Sequence, residues 1–261
     1  MMTDAYATTL NAGLGMIEET KIMLELWQPG MGSRDLLQLS LQSGRFPNIA
    51  ARRLRNFVVE GFARCYLRDD AAPARLLKRV HGTLVSQAFD QILFVFNCRA
   101  HLVLADFVRD VYWPAYSAGR ASLSNAEARA FVVRANQDGR TSVLWSDNSI
   151  QRVARYLTGY CADFGLLEGG IKQTRRIMPF RIEPDISTIL AYDLHFRGHG
   201  DNSVLSHPDW TLFGMTRDDV LDEMKRLALK GLLIVQSAGG ITRISWLHKS
   251  MEELANVLAH G

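Results

Sequence analysis

The side chains best equipped for chemistry in this sequence are arginines. Of its 30 basic residues, 24 are Arg. A guanidinium meets phosphate through a planar bidentate fork, whereas an ammonium acts as a point charge. One cluster lies in Ala50-Ala51-Arg52-Arg53-Leu54-Arg55-Asn56-Phe57, shortly after the turn Gly44-Arg45-Phe46. At about 3.6 residues per helical turn, Leu54, Phe57, Val58, Phe62 and Cys65 share one face. Arg52 and Asn56 fall opposite, with Arg53 and Arg55 on the flanks. Such a row suits a phosphate backbone, and the amide of Asn56 has the donor–acceptor pair that reads a base edge. The same row serves equally as a solvated face with Glu60 and Arg64 paired one turn apart. A second cluster joins Arg152 and Arg155, on the polar side of a helix with Tyr156, to Lys172, Arg175 and Arg176 around the turn that follows. It reads as a second phosphate surface or as ordinary charged exterior.

Other chemistries find little support. The only group of metal-ligand types is His195-Phe196-Arg197-Gly198-His199-Gly200-Asp201 with His207 and Asp209. Its spacing matches no zinc signature, and its glycines favour a loop. No P-loop, dinucleotide-binding glycine fingerprint or G-x-S-x-G elbow occurs. The expectation is a protein that is not an enzyme, with no cofactor, no metal and no small-molecule substrate. Cys65, Cys98 and Cys161 are far apart with no C-x-x-C, which argues against disulfides and for a reducing compartment. Trp113, Trp145, Trp210 and Trp246 sit beside apolar residues and read as core.

Charge is unevenly spread. The chain of 261 residues has a formal net charge of +3, but residues 1–182 carry +7 and residues 183–261 carry −4. Residues 45–79 hold nine basic and three acidic residues. A basic, Arg-rich region raises the expectation of a nucleic-acid partner. With 48% hydrophobic and 22% charged residues the chain is an ordinary globular mixture, long enough for one or two domains. The longest strongly apolar run, Ile92 to Phe96, is too short to span a bilayer. Met1-Met2-Thr3-Asp4-Ala5 lacks the pattern of a signal peptide. A cytoplasmic location and no membrane partner are expected.

The elements that must position these residues are mostly helices. Leu14 to Trp27 has imperfect helical spacing and stops at Gln28-Pro29-Gly30. Ser33 reads as an N-cap of a short helix ending at Ser43-Gly44, and Pro47 as the first residue of a helix to Leu67. Together they have the outline of a helix-turn-helix. Ala74 to Ala88 and Phe89 to Trp113 read as helices, the latter nearly all buried. Ser124 and Asn125 cap a helix through Asn136. The remainder contains an echo: helix, Gly-Leu-Leu, strand, Gly-Gly turn, strand. It runs once from Ile150 through Gly165-Leu166-Leu167, Gly169-Gly170 and Arg175 to Ile182, and again from Asp218 through Gly231-Leu232-Leu233, Gly239-Gly240 and Ile241 to Trp246. Gly165 and Gly231 fit left-handed positions that end helices. Helix followed by hairpin is the order of a winged helix. The fold expected is therefore mainly α: a helical N-terminal bundle with a helix-turn-helix element over residues 1–120, and two winged-helix-like units with short β-hairpin wings over residues 121–261.

The sequence also resembles the BrxA family of bacterial BREX phage-exclusion systems. The resemblance lies in Leu14-Gly15-Met16-Ile17-Glu18-Glu19-Thr20, Asn56-Phe57-Val58, Asp163-Phe164-Gly165-Leu166-Leu167, Ile189-Leu190-Ala191-Tyr192-Asp193-Leu194-His195-Phe196, Asp209-Trp210-Thr211-Leu212-Phe213-Gly214 and Leu227 to Gly239. It implies a mainly helical, non-enzymatic, double-stranded-DNA-binding protein of phage defence, with other BREX proteins as further partners. These are core and turn residues, so the DNA-binding set Arg45, Arg52, Arg53, Arg55, Asn56, Arg152, Arg155, Lys172, Arg175 and Arg176 rests on the physical argument alone. The rival expectation is an adaptor whose winged units dock other proteins, consistent with the acidic Asp218, Asp219, Asp222 and Glu223.

Overall fold

The computed structural model describes residues 5–238 and 241–260. The expected hairpin turn at Gly239-Gly240 and the first four residues lie outside that range. The protein is 62% helix and 8% strand. Contacts divide it into two compact units. One holds the chain up to Lys78 together with Phe94–Phe180, the other Arg79–Leu93 together with Arg181 onward. The sequence placed its boundary at residue 120 instead.

In the first unit, α1 (Ile17–Leu26) carries Glu18 and Glu19 in its first turn, where the helix dipole favours acid. Its last carbonyls are claimed by Lys78, whose Nζ donates to Leu24, Glu25 and Trp27 at 3.0, 3.0 and 2.6 Å. α2 (Ser33–Gln42) is capped by Gly32, so Ser33 is its first residue and not its cap. Gly44 then turns the chain at φ +65°. The next helix starts at Ala51, not Pro47: α3 (Ala51–Asn56) runs through a π turn (Phe57–Phe62) into α4 (Ala63–Tyr66). Phe57, Val58, Gly61 and Phe62 are all buried there.

α5 (Ala72–Val80) and α6 (Ser86–Ala100) each continue from one unit into the other. The helix expected from Phe89 to Trp113 is broken at His101, with a 112° bend between α6 and the helical stretch 102–117. That stretch is α7 (Leu102–Phe107), a π turn (Val108–Tyr112) and α8 (Trp113–Ser117). His101 serves both sides of the break. Its N–H donates to the Asn97 carbonyl, and its own carbonyl accepts from Leu104 and Ala105. No glycine or proline marks the bend, so periodicity alone ran through it. No single helix among the described residues is long and apolar enough to cross a membrane.

β1 (Ser122–Ser124) leads into α9 (Asn125–Gln137), where Ser124 and Glu127 form a reciprocal capping box. α10 (Asp147–Asp163) follows, capped by Ser146. Then β2 (Thr174–Arg176) pairs antiparallel with β1. On the other side of β2, Glu168 N–H donates to the Arg176 carbonyl and Met178 N–H to the Leu166 carbonyl, both at 2.9 Å. The chain therefore forms helix, helix, and a small antiparallel set in the order β1, β2, 166–168. The strand expected over Arg175 to Ile182 is this short because pairing stops at Met178, before Pro179, which has no N–H to donate.

The second unit contains α11 (Pro184–Phe196), α12 (Asp201–Leu205) and a 3₁₀ turn (Pro208–Phe213). α13 (Arg217–Leu229) follows, with a Thr216–Asp219 capping box. β3 (Leu233–Ala238) and β4 (Ile241–Trp246) form a regular antiparallel hairpin, and α14 (Met251–His260) ends the description. Tyr192 holds the hairpin base. Its hydroxyl donates to the Leu232 carbonyl at 2.6 Å and accepts from Leu247 N–H at 3.1 Å.

Candidate nucleic-acid interface

α10 ends in a Schellman arrangement that fixes where the following strand begins. Gly165 has φ +80°; its N–H donates to the Ala162 carbonyl at 3.2 Å, and Leu166 N–H donates to Cys161 at 2.7 Å. The buried side of α10 is Ile150, Val153, Ala154, Leu157, Tyr160 and Cys161. That leaves Arg152 and Arg155 exposed, with Tyr156 half-buried beside them. Neither guanidinium has a hydrogen-bond or ion-pair partner among the described residues. Asp147, at the start of the same helix, is neutralised by an ion pair to Arg129 of α9.

The strand after α10 sorts its arginines by alternation. Leu123 pairs with Arg175, and both point inward; Thr174 and Arg176 point out. Arg175 is only 8% exposed, and its Nη1 donates to the Glu168 carbonyl at 2.8 Å. It belongs to the packing under the strand, which corrects its place in the expected surface. Arg176 is exposed and has no ion pair among the described residues. Lys172 is exposed but paired with Glu168 at 2.7 Å. A groove in this region is lined by Asn125, Ala126, Arg129, Gln151, Ala154, Arg155 and Gln173. The amides of Gln151 and Gln173 carry no charge and so leave no mark in a charge pattern.

On α3, Leu54 is buried and Arg52, Arg53, Arg55 and Asn56 are all exposed, as helical spacing requires. Arg52 and Arg55 have no partner among the described residues, and Arg53 lies 3.6 Å from the Met16 sulfur. Arg45 is tied to Glu25 at 2.5 Å. Arg64, expected opposite Glu60, donates instead to the Ala100 carbonyl at 3.5 Å.

The histidine group in the second unit is occupied structurally. His195 stacks on Trp246 with ring centroids 4.4 Å apart, and burial lowers its pKa. Asp201 accepts from the Ile244 N–H at 2.9 Å and from the Trp246 indole at 3.3 Å. His207 Nδ1 accepts from the Asp209 N–H at 3.2 Å. Among the described residues no three His, Cys, Asp or Glu side chains converge as metal ligands do. The cysteines are buried thiols. Burial pushes Cys65 up to about 12, and Cys161 is raised for the same reason.

The face of α13 differs from that of α10. Asp218 and Asp222 are exposed, Lys225 pairs with Asp222 at 2.8 Å, and Arg226 pairs with the buried Glu223 at 3.0 Å. Leu229, at its end, is 90% exposed.

Comparison with solved structures finds a fold like that of an uncharacterized protein from Magnetospirillum magneticum. The TM-score is 0.56 at 16% identity, over 74% of this chain and 95% of that one. No curated protein matches the chain. The BrxA family model matches residues 4–193, and on that match across most of its length the chain belongs to the BrxA family, which implies a role in BREX phage defence.

Proposed function

We propose that this chain is a non-enzymatic, double-stranded-DNA-binding protein of BREX defence, acting in the cytoplasm and holding DNA mainly by its phosphates. The observation that carries the reading is the set of unpaired guanidiniums on α10 and the strand after it. Arg152 and Arg155 are exposed without acidic partners among the described residues, on a helix whose own Asp147 is already neutralised, and Arg176 is exposed with no direct ion pair, its charge acting on nearby Glu168. Arg52 and Arg55 on α3 supply a second phosphate surface, with Arg53, Asn56, Arg45 and Lys172 at its margins or on the wing. The order α8, β1, α9, α10, 166–168, β2 is that of a winged helix, with α10 as the helix that enters the groove and residues 169–173 as the wing tip. The pair α2 and α3, joined through Gly44, supports the reading of a helix-turn-helix. The BrxA family is not known as an enzyme family.

A mobility-shift titration on generic duplex DNA at two salt concentrations tests this. Binding with a steep salt dependence is expected, about −0.9 in slope per phosphate neutralised. Absence of any shift at low salt would replace this reading with the second one: an adaptor that docks protein partners, among them other BREX proteins. The acidic, partly apolar face of α13 favours that role for the second unit.

A further inference from the structure

We infer that α10 reads DNA sequence as well as holding phosphate, through Asn148, Gln151 and Arg155 acting on base edges in the major groove. The inference rests on the DNA reading above and extends it to specificity. Asn148, Gln151, Arg152 and Arg155 are spaced i, i+3, i+4, i+7 and therefore share one helix face. All four are exposed. None has a side-chain hydrogen bond or ion pair among the described residues. Some exposed polar side chains on other helices are engaged, Arg129 with Asp147, Lys225 with Asp222 and Arg217 with Asn202, while Arg52 and Arg55 on α3 are open like the stripe.

The chemistry of the stripe is that of base recognition. Asn and Gln make bidentate contacts to adenine N6 and N7, and Arg makes them to guanine O6 and N7. Amides also donate to phosphate oxygens, but a side chain that pairs a donor with an acceptor can read a base edge, and Asn148 and Gln151 both do so. The second observation is the groove beside the stripe, whose lining includes Gln151 and Arg155 of α10 and Gln173 of the loop that follows. In that groove the Asn125 Oδ1 accepts from the Thr158 hydroxyl at 2.6 Å, whereas Gln151 and Gln173 have both ends of their amides open among the described residues. The major groove is about 12 Å wide and admits a single helix. An α10 docked there by Arg152 and Arg176 would carry Asn148, Gln151 and Arg155 to the base edges.

The experiment is enrichment of a random duplex library on the whole protein, then titration of the enriched duplex against a scrambled one. The wild type should enrich a short motif containing adenine and guanine. Each bidentate contact should be worth about 5- to 150-fold in discrimination. The Asn148→Ala/Gln151→Ala variant should lose discrimination by that order with an unchanged salt slope, because neutral side chains release no counterions. Arg155→Lys keeps the charge and removes the fork, so it should lose selectivity at the guanine step and keep the slope. A wild type that binds duplex DNA and enriches no motif overturns the inference and leaves DNA binding intact. So does an Asn148→Ala/Gln151→Ala variant, folded by circular dichroism, with wild-type discrimination. A wild type that binds no duplex overturns the DNA reading as well.

Discussion

α10 and α13 end with the same hydrogen bonds. Gly165 and Gly231 have φ of +80° and +72°, each donates to the carbonyl three residues back, and Leu166 and Leu232 each donate to the carbonyl five back. Past that point the two units diverge. In the first, β1 covers the outer edge of the hairpin strand, with Ile177 N–H donating to the Ala121 carbonyl at 2.9 Å. In the second there is no such strand among the described residues, and the Asp201 carboxylate takes the edge N–H of Ile244 instead. The faces diverge further: open guanidiniums and amides on α10, and on α13 cations paired with Asp222 and Glu223 beside the open Asp218. A shared local scaffold therefore constrains the backbone and leaves the partner to the exposed residues, which is why function has to be argued face by face.

The largest expected effect separates the two faces directly. Replacing Arg152, Arg155 and Arg176 with Ala should make the slope of log affinity against log salt shallower by up to about 1.8 units with Arg152 and Arg176 on phosphate, and by up to about 2.7 units only where Arg155 meets phosphate instead of a base. Replacing Arg52, Arg53 and Arg55 should do the same if all three meet phosphate. Replacing Lys225, Arg226 and Arg243 of the second unit removes the same charge and should leave the slope unchanged. If the second-unit variant flattens it instead, net charge and not the α10 face is what DNA senses.

Acid should act on the first unit through His101. Its imidazole is 4% exposed, 3.8 Å from the Cys65 sulfur. Burial, with Arg64 and Arg68 adding to it, lowers its pKa from 6.5 to about 4. The unfolded chain then binds the proton first as pH falls, so stability is full above about pH 6.5 and declines toward pH 4. The loss is roughly 3 kcal/mol, from about 1.36 kcal/mol per pKa unit. Asp163 and Asp110, raised by burial, take up protons in the folded state and act in the opposite sense. The quantity to measure is therefore the difference between wild type and His101→Gln in urea midpoints from pH 7 to pH 4. A wild-type curve parallel to that of His101→Gln would show that His101 is not buried neutral.

Gly165→Ala and Gly231→Ala test whether the two helix ends are equivalent. A Cβ at either position meets no atom within 4 Å, so the cost is conformational alone, about 1–2 kcal/mol for a left-handed residue. Denaturant midpoints should move by similar amounts in both. A cost at one site only would break the equivalence.

How much of this the sequence carried depends on what each residue signals. Gly165 and Gly231 were legible because a left-handed turn needs glycine, and Ser124 because a hydroxyl before a helical run caps it, although Asn125 proves to be the first helical residue and Glu127 the partner that completes the box. The exposure of Arg52, Arg53, Arg55, Arg152 and Arg155 followed from helical period. Arg175 was misplaced because its inward direction depends on pairing with Leu123, some fifty residues earlier, and no local pattern records that register. The break at His101 was missed because a buried histidine between apolar helices carries no breaker signal. Asn148, Gln151 and Gln173 were overlooked because amides leave no trace in a charge count.

The smallest expected effect is the sharpest test of the contrast. Asp218 and Asp222 are exposed on α13. Asp222 is paired with Lys225 in an exposed bridge, worth at most about 1 kcal/mol. Asp218 lies in the first turn, where the dipole favours it by about 0.3–1 kcal/mol. Asp218→Ser with Asp222→Ser should therefore lower stability only slightly. If α13 faces away from DNA, the change also leaves affinity within about twofold at physiological salt, since charges separated by more than about 8 Å are largely screened there. If α13 faces the duplex, removing two carboxylates relieves repulsion at close range, and affinity rises while the salt slope steepens. A gain in DNA affinity from this variant would erase the contrast between the two units and make both of them DNA-facing. Unchanged DNA affinity, together with weakened capture of another BREX protein in a direct binding assay, would assign the second unit to protein docking.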